Sequence, residues 1–470
     1  MPSVRTKAVV AAVAAVVLAL LATVARGPWQ GTVMALQAAD GSSGSGGSNP
    51  APPVLVPVSG DPAGPTPTDA GIRAVLTALT KSPALGQPPA IAVVDALTGR
   101  ALYGAGEDRA ATPASTTKIT TAVAGLTAPG PDHRIATRVV PGATPGTIVL
   151  VGGGDPTLTA LDGKQYEGRY QPARLSDLAA ATAAALKSAG TTQVKLHYDT
   201  TLYTGPAVHA IGPNENIAPV VSLMVDEGRT NPTVTGKEST RLSSPGADAA
   251  KKFADMLKAA GVAVDGAPTA GTAPAGGAPE LASVQSPPMS AFVEQMLTVS
   301  DNDMAEALLR QVAIAKGQPV SFQGGTAAAR QVLESLGAAY GASNLKDGSG
   351  LDKEDKLTPQ TLVKTLSLAA SPEHPELRPA LTGLPIAGFT GTLSARYGPT
   401  GGAADAAGVV RAKTGSLTGV STLSGVVRDR DGRLLAFAIL ADKVPGDADA
   451  ARAVIDRMAA ALADCGCTGS

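Results

Sequence analysis

The sequence predicts an α+β fold: helices and one sheet assembled from both ends of a long chain, with a large α+β region inserted between the two contributions. Three observations predict it. A helix, a strand hairpin and a second, apolar helix follow one another before residue 131. Three strand-like runs and a closing helix fill the far end, and between about 132 and 288 strand-like and helical pieces alternate. At 470 residues the chain exceeds one average domain and can bury a large core.

Taken in order, Arg5 and Lys7 precede an uninterrupted apolar run from Ala8 to Ala25, closed by Arg26. Residues 1–26 therefore read as a signal anchor or a signal peptide. The 18-residue run is close to a bilayer span and favours the anchor, while Ala22-Thr-Val-Ala25 offers a cleavage site. The leading positive charges put the N-terminus in the cytoplasm and send the rest outward, anchored to the outer face of the membrane or released from it. Residues 27–68, rich in Gly, Ser and Pro, form a flexible tether.

Asp69 is positioned to cap a first helix, with Ile72, Val75, Leu76 and Leu79 at helical spacing. Residues 91–96 read as a buried strand, turned at Gly99 before Leu102 and Tyr103. Residues 113–126 read as a helix stopped by Pro129-Gly-Pro131, which places Ser115 at or near its N-terminus. The insert holds a strand at 147–151 and helices at 175–189 and 248–260. Gly152-Gly-Gly-Asp155 lacks the Lys-Ser or Lys-Thr of a phosphate loop and reads as a turn. A helix over 304–313 follows, then strands at 409–413, 420–427 and 434–440, with Asp431-Gly432 as a hairpin turn, and a helix over about 447–462. Residues 69–131 and 289–464 thus form one domain, which carries all three of the motifs described next, 132–288 one or more inserted accessory domains, and 465–470 a tail. A C-x-C bridge between Cys465 and Cys467 would close a small, strained ring, and two thiolates without a histidine cluster make a poor zinc site.

Lys plus Arg number 38 against 39 for Asp plus Glu, so charge gives no reason to expect a nucleic-acid partner. The chemistry lies in three ordered strings: Ser115-Thr-Thr-Lys118, Ser300-Asp-Asn302 and Lys413-Thr-Gly415. Any one arises by chance, and Ser343-Asn-Leu-Lys346 shows how easily. The six asparagines give S-x-N once, and K-[ST]-G occurs once, after it.

A serine hydroxyl needs a base to become a nucleophile. At i and i+3 on a helix, Lys118 shares a face with Ser115. Burial and a cationic neighbour, for which Lys413 is the candidate, would keep the Lys118 amine neutral. The helix N-terminus offers N–H groups for an oxyanion. Ser300 offers a hydroxyl relay, and Asn302 an amide for a lysine or a substrate carbonyl. Their ordinary structural role is to cap the helix that follows. Lys413 at a strand end suits an anionic substrate terminus, and Gly415 lets a peptide approach the backbone. Taken alone, each motif has a plain alternative: a solvated lysine, a cap, a strand-end lysine. The decoy at Ser343 runs into Asp347-Gly-Ser-Gly350, a turn, and lacks a helical scaffold.

In this order the motifs resemble those of the serine penicillin-binding proteins, specifically the class C, low-molecular-mass D-alanyl-D-alanine carboxypeptidase/endopeptidase family. The 185 residues from Ser115 to Ser300 exceed what a compact β-lactamase uses and fit a family with insertions there. Ser300-Asp-Asn-Asp-Met-Ala-Glu306, Asp347-Gly-Ser-Gly-Leu351 and Gly391-Thr-Leu393 with Arg396 also look like this family. The resemblance implies a penicillin-binding/β-lactamase-like transpeptidase fold, an antiparallel sheet flanked by helices, with a helical subdomain carrying Ser300 and a cell-wall location for the exported chain. It implies Ser115 as nucleophile, Lys118 as base, Ser300 as proton relay, Asn302 as positioner and Lys413 as electrostatic partner of the substrate carboxylate. Thr414, Gly415 and Ser416 would bind substrate, with the N–H groups of Ser115 and Ser416 as oxyanion hole. Its substrates would be peptidoglycan stem peptides ending in D-Ala-D-Ala and its inhibitors β-lactams, with neither cofactor nor metal. One departure is visible: relatives often carry Trp followed by Asp in the insert, where this chain reads His209-Ala-Ile-Gly-Pro-Asn-Glu215, and its only Trp is Trp29. The competing expectations are a serine β-lactamase, against which the missing E-x-x-L-N string counts, and an inactive cell-wall-binding homologue.

Overall fold

A computed structural model describes residues 64–467, apart from 162–169, 234–238, 278, 339 and 447. The expected export segment and all but the last residues of the tether lie outside the described residues. Among the described residues no helix is long and apolar enough to cross a membrane.

The chain opens with α1 (Asp69–Thr80), β1 (Ala90–Asp95), β2 (Ala101–Ala105), a 3-10 turn (Ala114–Thr117) and α2 (Lys118–Thr127). The insert follows with β3 (Ala136–Pro141), β4 (Thr147–Val151), α3 (Leu175–Ser188), β5 (Gln193–Asp199), α4 (Pro245–Ala259), β6 (Ala263–Val264), β7 (Thr269–Ala270) and β8 (Ala282–Gln285). Helices α5 (Met289–Val299), α6 (Asn302–Ala315), α7 (Phe322–Ser335), α8 (Pro359–Ala370) and α9 (Pro379–Thr382) lead to β9 (Arg411–Leu417), β10 (Val420–Arg428), β11 (Leu434–Ala441) and α10 (Ala448–Ala463).

The main sheet runs β2-β1-β11-β10-β9 and is antiparallel throughout. Its central strands are buried on both faces, which is why β1 and β11 read as unbroken apolar runs. Alternation still sorts the side chains. Ala90, Ala92, Ala436 and Ala438 face the helical core that includes α2, α5 and α8, while Ile91, Val93, Leu435, Phe437 and Ile439 face α1 and α10. Small alanines on the first face let the α2 side pack close to the sheet.

The insert has its own sheet, ordered β6-β5-β4-β3-β8 with β7 also on β5, parallel where β4, β5, β6 and β7 meet and antiparallel at β3. Its separate core packs Ile148, Leu150, Val194 and Leu196 against Leu178 of α3 and Phe253 of α4.

Three local expectations need correction. Thr68 caps α1, its Oγ1 accepting from Gly71 N at 3.1 Å, whereas Asp69 sits in the first turn and pairs with Arg73. The side chain that caps α6 is Asp301, accepting from Met304 N at 2.7 Å, rather than Ser300 or Asn302. Strand β9 continues through Leu417, so Lys413-Thr-Gly415 lies within the strand and the turn comes at Gly419. Cys465 is paired with Cys467, a point the sequence leaves open, with Cα atoms 5.0 Å apart. This start of the tail packs on the α1/α10 core, and the Cys467 carbonyl accepts from Thr68 N at 2.9 Å.

Candidate active site

Ser115 lies half-buried in the 3-10 turn that runs into α2, one residue after Ala114, whose φ of 48° is left-handed. An L-residue in that region costs about 1 kcal/mol or more, so surrounding contacts must hold it. Two glycines allow those contacts. A Cβ on Gly350 would lie 2.9 Å from Thr117 Oγ1 and nearer still to the Ala114 carbonyl. One on Gly415 would lie 2.6 Å from the Pro113 carbonyl and nearer still to Thr422 Oγ1. Gly415 thus seats β9 against the nucleophile's turn, a packing role beyond the substrate approach expected of it. Thr116 Oγ1 and Thr422 Oγ1 both donate to Pro113 O at 2.7 Å and complete the clamp.

Every residue of α2 from Lys118 to Leu126 is buried, and Lys118 is 0% exposed. Its Nζ lies 3.0 Å from Ser115 Oγ, 2.7 Å from Asn302 Oδ1 and 2.7 Å from the Ser349 carbonyl. The Asn302 amide is oriented independently, because its Nδ2 donates to Asn216 O at 3.0 Å. Two of the three neighbours can therefore only accept. A neutral amine has two hydrogens and one lone pair, so the hydrogens go to Asn302 and Ser349 and the lone pair faces the hydroxyl of Ser115. Burial pulls the Lys118 pKa down to about 8, against the opposing carboxylates of Asp347, Asp301, Glu306 and Asp303.

Lys413 is also fully buried and donates to Ser300 Oγ at 2.8 Å and Thr414 O at 2.9 Å. Burial first, then the charges of Lys118 and Arg396, hold its pKa well below the usual lysine value. Burial is the largest cause of the depression of Lys118, and the repulsion between the two buried amines works against charge on both. Ser300 is left-handed (φ 63°, ψ 39°) at the junction of α5 and α6, which aims its hydroxyl at Lys413 while Asn302 meets Lys118. Thr414 Oγ1 lies 2.9 Å from Thr392 Oγ1, and Ser416 is exposed. Strand β9 is the sheet's edge: Ala412 N donates outward to Pro385 O, and the two-residue repeat puts the N–H groups of Thr414 and Ser416 on that same side. Arg396 makes a two-pronged pair with Asp456 of α10, at 3.0 and 2.6 Å.

All five proposed catalytic residues therefore converge, with Thr414, Gly415 and Ser416 beside them. The decoy does not: Ser343 Oγ is buried and accepts from Thr358 N, while Lys346 is exposed. Sequence reasoning missed the Ser349 carbonyl, Asn216 and the buried groups behind them. Glu306 accepts from Gly348 N and Ser349 N, at 2.9 Å each, and pairs with Arg310 at 2.7 Å. Asp347 pairs with His209 of the insert at 2.9 Å, both 1% exposed. The Asp347-Gly-Ser-Gly350 string was the available signal, but its partners lie far along the chain. His209, Glu306 and Asp347 approach within 4.8 Å of one another. Their oxygens and ring nitrogens are spent on one another, on Arg310 and on backbone N–H groups, so they form an ion-pair network rather than an open ligand set.

A buried serine–lysine pair, joined by a second lysine–serine pair at the edge of a helix-backed antiparallel sheet, defines a penicillin-binding type of serine acyl-transfer centre. The chain belongs to the D-Ala-D-Ala carboxypeptidase 3 (S13) family, which it matches over residues 72–241 and 235–465. It is 38% identical over 424 residues to carboxypeptidase DacB of Mycolicibacterium smegmatis, covering 89% of this chain and 88% of that protein. It is also 38% identical over 359 residues to a carboxypeptidase of Mycobacterium tuberculosis, covering 74% and 75%. In fold it resembles the crystal structure of penicillin-binding protein 4 (dacB) from Haemophilus influenzae, with a TM-score of 0.66 at 21% identity over 83% of this chain and 98% of that one.

Proposed function

We propose that this protein is a serine D-alanyl-D-alanine carboxypeptidase that shortens peptidoglycan stem peptides through an acyl-enzyme on Ser115. The observation that carries the reading is the hydrogen inventory around Lys118: with Asn302 and Ser349 able only to accept, the amine's lone pair is directed at Ser115. Ser115 Oγ attacks the carbonyl of the penultimate D-alanine as its proton passes to Lys118 Nζ. The oxyanion is met by the N–H groups of Ser115 and Ser416. Collapse of the tetrahedral intermediate breaks the peptide bond, and the departing D-alanine nitrogen takes a proton delivered through Ser300. Lys413, behind Ser300, is drawn toward its charged form by the substrate's terminal carboxylate, which it then balances, and Thr414 and Ser416 offer hydroxyl donors. Water, deprotonated by the same lysine, then hydrolyses the ester and restores Ser115. A β-lactam presents a strained amide to the same serine and acylates it.

The assay is intact-mass measurement after a labelled penicillin, on wild type and Ser115→Ala, together with D-alanine release from a peptide ending in D-Ala-D-Ala. One adduct per chain that disappears in the variant, and D-alanine release, are expected. No adduct and no D-alanine would overturn the enzyme reading, an adduct surviving Ser115→Ala would overturn the site, and rapid penicillin turnover would move the protein to the lactamases.

The chemistry is placed outside the cytoplasmic membrane, with residues 1–26 as anchor or cleaved signal, a reading supported by the Arg5, Lys7 and Ala8–Ala25 pattern. Protease digestion of spheroplasts tests it: digestion of the full chain without lysis is expected, and protection until lysis counts against it.

A further inference from the structure

We propose that the buried carboxylates Glu306 and Asp347 are positioning residues for acylation, fixing the Ser349 carbonyl that turns the Lys118 lone pair toward Ser115. The inference rests on the reading of Ser115 and Lys118 given above. Three successive peptide groups lead to that carbonyl, and all three are held. Gly348 N and Ser349 N donate to Glu306 Oε1 at 2.9 Å each, and Gly350 N donates to Asp347 Oδ1 at 2.5 Å. The Ser349 C=O and the Gly350 N–H belong to one planar unit, so holding the hydrogen sets the oxygen's direction.

Each carboxylate has its own buried cationic or ring partner. Arg310, 2% exposed, pairs with Glu306 and lies 3.8 Å from the Phe322 ring centroid; His209 meets Asp347. Such pairs are costly to bury, and well-packed apolar side chains commonly serve stability as well or better. Their placement is explained by what they hold. If the Ser349 carbonyl swung away, Lys118 would lose one of its two obligate acceptors, and its second hydrogen would compete for Ser115 Oγ.

The test is Glu306→Gln, with the first-order acylation rate constant read at saturating labelled penicillin between pH 6 and 10. A fall of about tenfold or more is expected from misplacement of the base, with the noncovalent penicillin affinity unchanged. The midpoint of the pH profile should also move down, because one of the carboxylates facing Lys118 is gone. The charged groups on that side are Asp347, Asp301, Glu306 and Asp303, with Lys413 opposing. A merely structural role would lower the melting temperature and the active fraction, yet leave the rate constant and midpoint of the folded fraction alone. Should Glu306→Gln not fold, Glu306→Asp carries the rate measurement: it keeps the charge for Arg310 but withdraws the oxygen by one methylene. Asp347→Asn is read for both rate and midpoint. Folded variants with wild-type rate and midpoint overturn the inference; a wild type that is never acylated at Ser115 overturns the reading beneath it.

Discussion

Gly415→Ala should cripple acylation although the new methyl touches neither lysine. The added Cβ would lie 2.6 Å from the Pro113 carbonyl, closer to Thr422 Oγ1, and 3.1 Å from Ala114 Cβ. Real Cβ atoms essentially never approach closer than 3.0 Å, so the Pro113 carbonyl must retreat by about 0.4 Å and Thr422 Oγ1 by more. Neither is free to go: Thr422 Oγ1 donates to that same carbonyl at 2.7 Å, and Ala114 is already left-handed. The strain falls on the turn carrying Ser115, where a displacement approaching 1 Å costs on the order of a hundredfold in rate. Overpacking should also cost about 1–3 kcal/mol of stability. Stopped-flow acylation by a fluorescent penicillin, paired with thermal unfolding, measures both. A variant that acylates within twofold of wild type at an unchanged melting temperature would refute the steric reasoning and remove Gly415 from the clamp.

Acylation by wild type should rise with pH through about 8, because the attacking serine needs Lys118 neutral and an amine is neutral above its pKa; a rate flat from pH 6 to 10 would exclude Lys118 as titrating base. Asn302→Asp sets a carboxylate where an amide oxygen now lies 2.7 Å from Nζ, so it should raise the Lys118 pKa by about 1 to 3 and carry that limb upward, as the same pH series will show. Thr68→Ala removes the α1 cap and the Oγ1 bond to Cys467 O, so calorimetry should find a loss of about 1 kcal/mol, near 1 °C, with the acylation rate unchanged.

Much of this was legible before any coordinates. Strands β1 and β11 are buried on both faces and announce themselves as apolar runs; α2 shows a lone charge on an otherwise apolar and Thr/Ala-rich helix. The motif serines and lysines needed only companionship in order. Two kinds of feature stayed hidden. Terminal details did, because Thr68, Asp69, Ser300, Asp301 and Asn302 are all capable caps, and only backbone geometry chooses Thr68 and Asp301. The expected end of β9 at Lys413 failed because Thr414, Gly415 and Ser416 do not form an apolar run, although they continue the ladder with β10, and Gly415 is a point of close packing inside the strand. The supports behind Lys118 were hidden too. His209 and Asp347 lie 138 residues apart, and Ser349 contributes a carbonyl, which every residue possesses and no pattern reports.

The pairing of β1 with β11 also orders events in time. Ala90 finds its partner in Leu440, and the Pro113 carbonyl beside the nucleophile is gripped by Thr422. Contacts spanning so much chain form late and slowly during folding. Until the last strands have been made and threaded beside the first, Ser115 is an ordinary alcohol without a base held in register. An emerging or truncated chain is thus chemically inert toward the cell wall, and its reactivity begins only when synthesis of the sheet is finished.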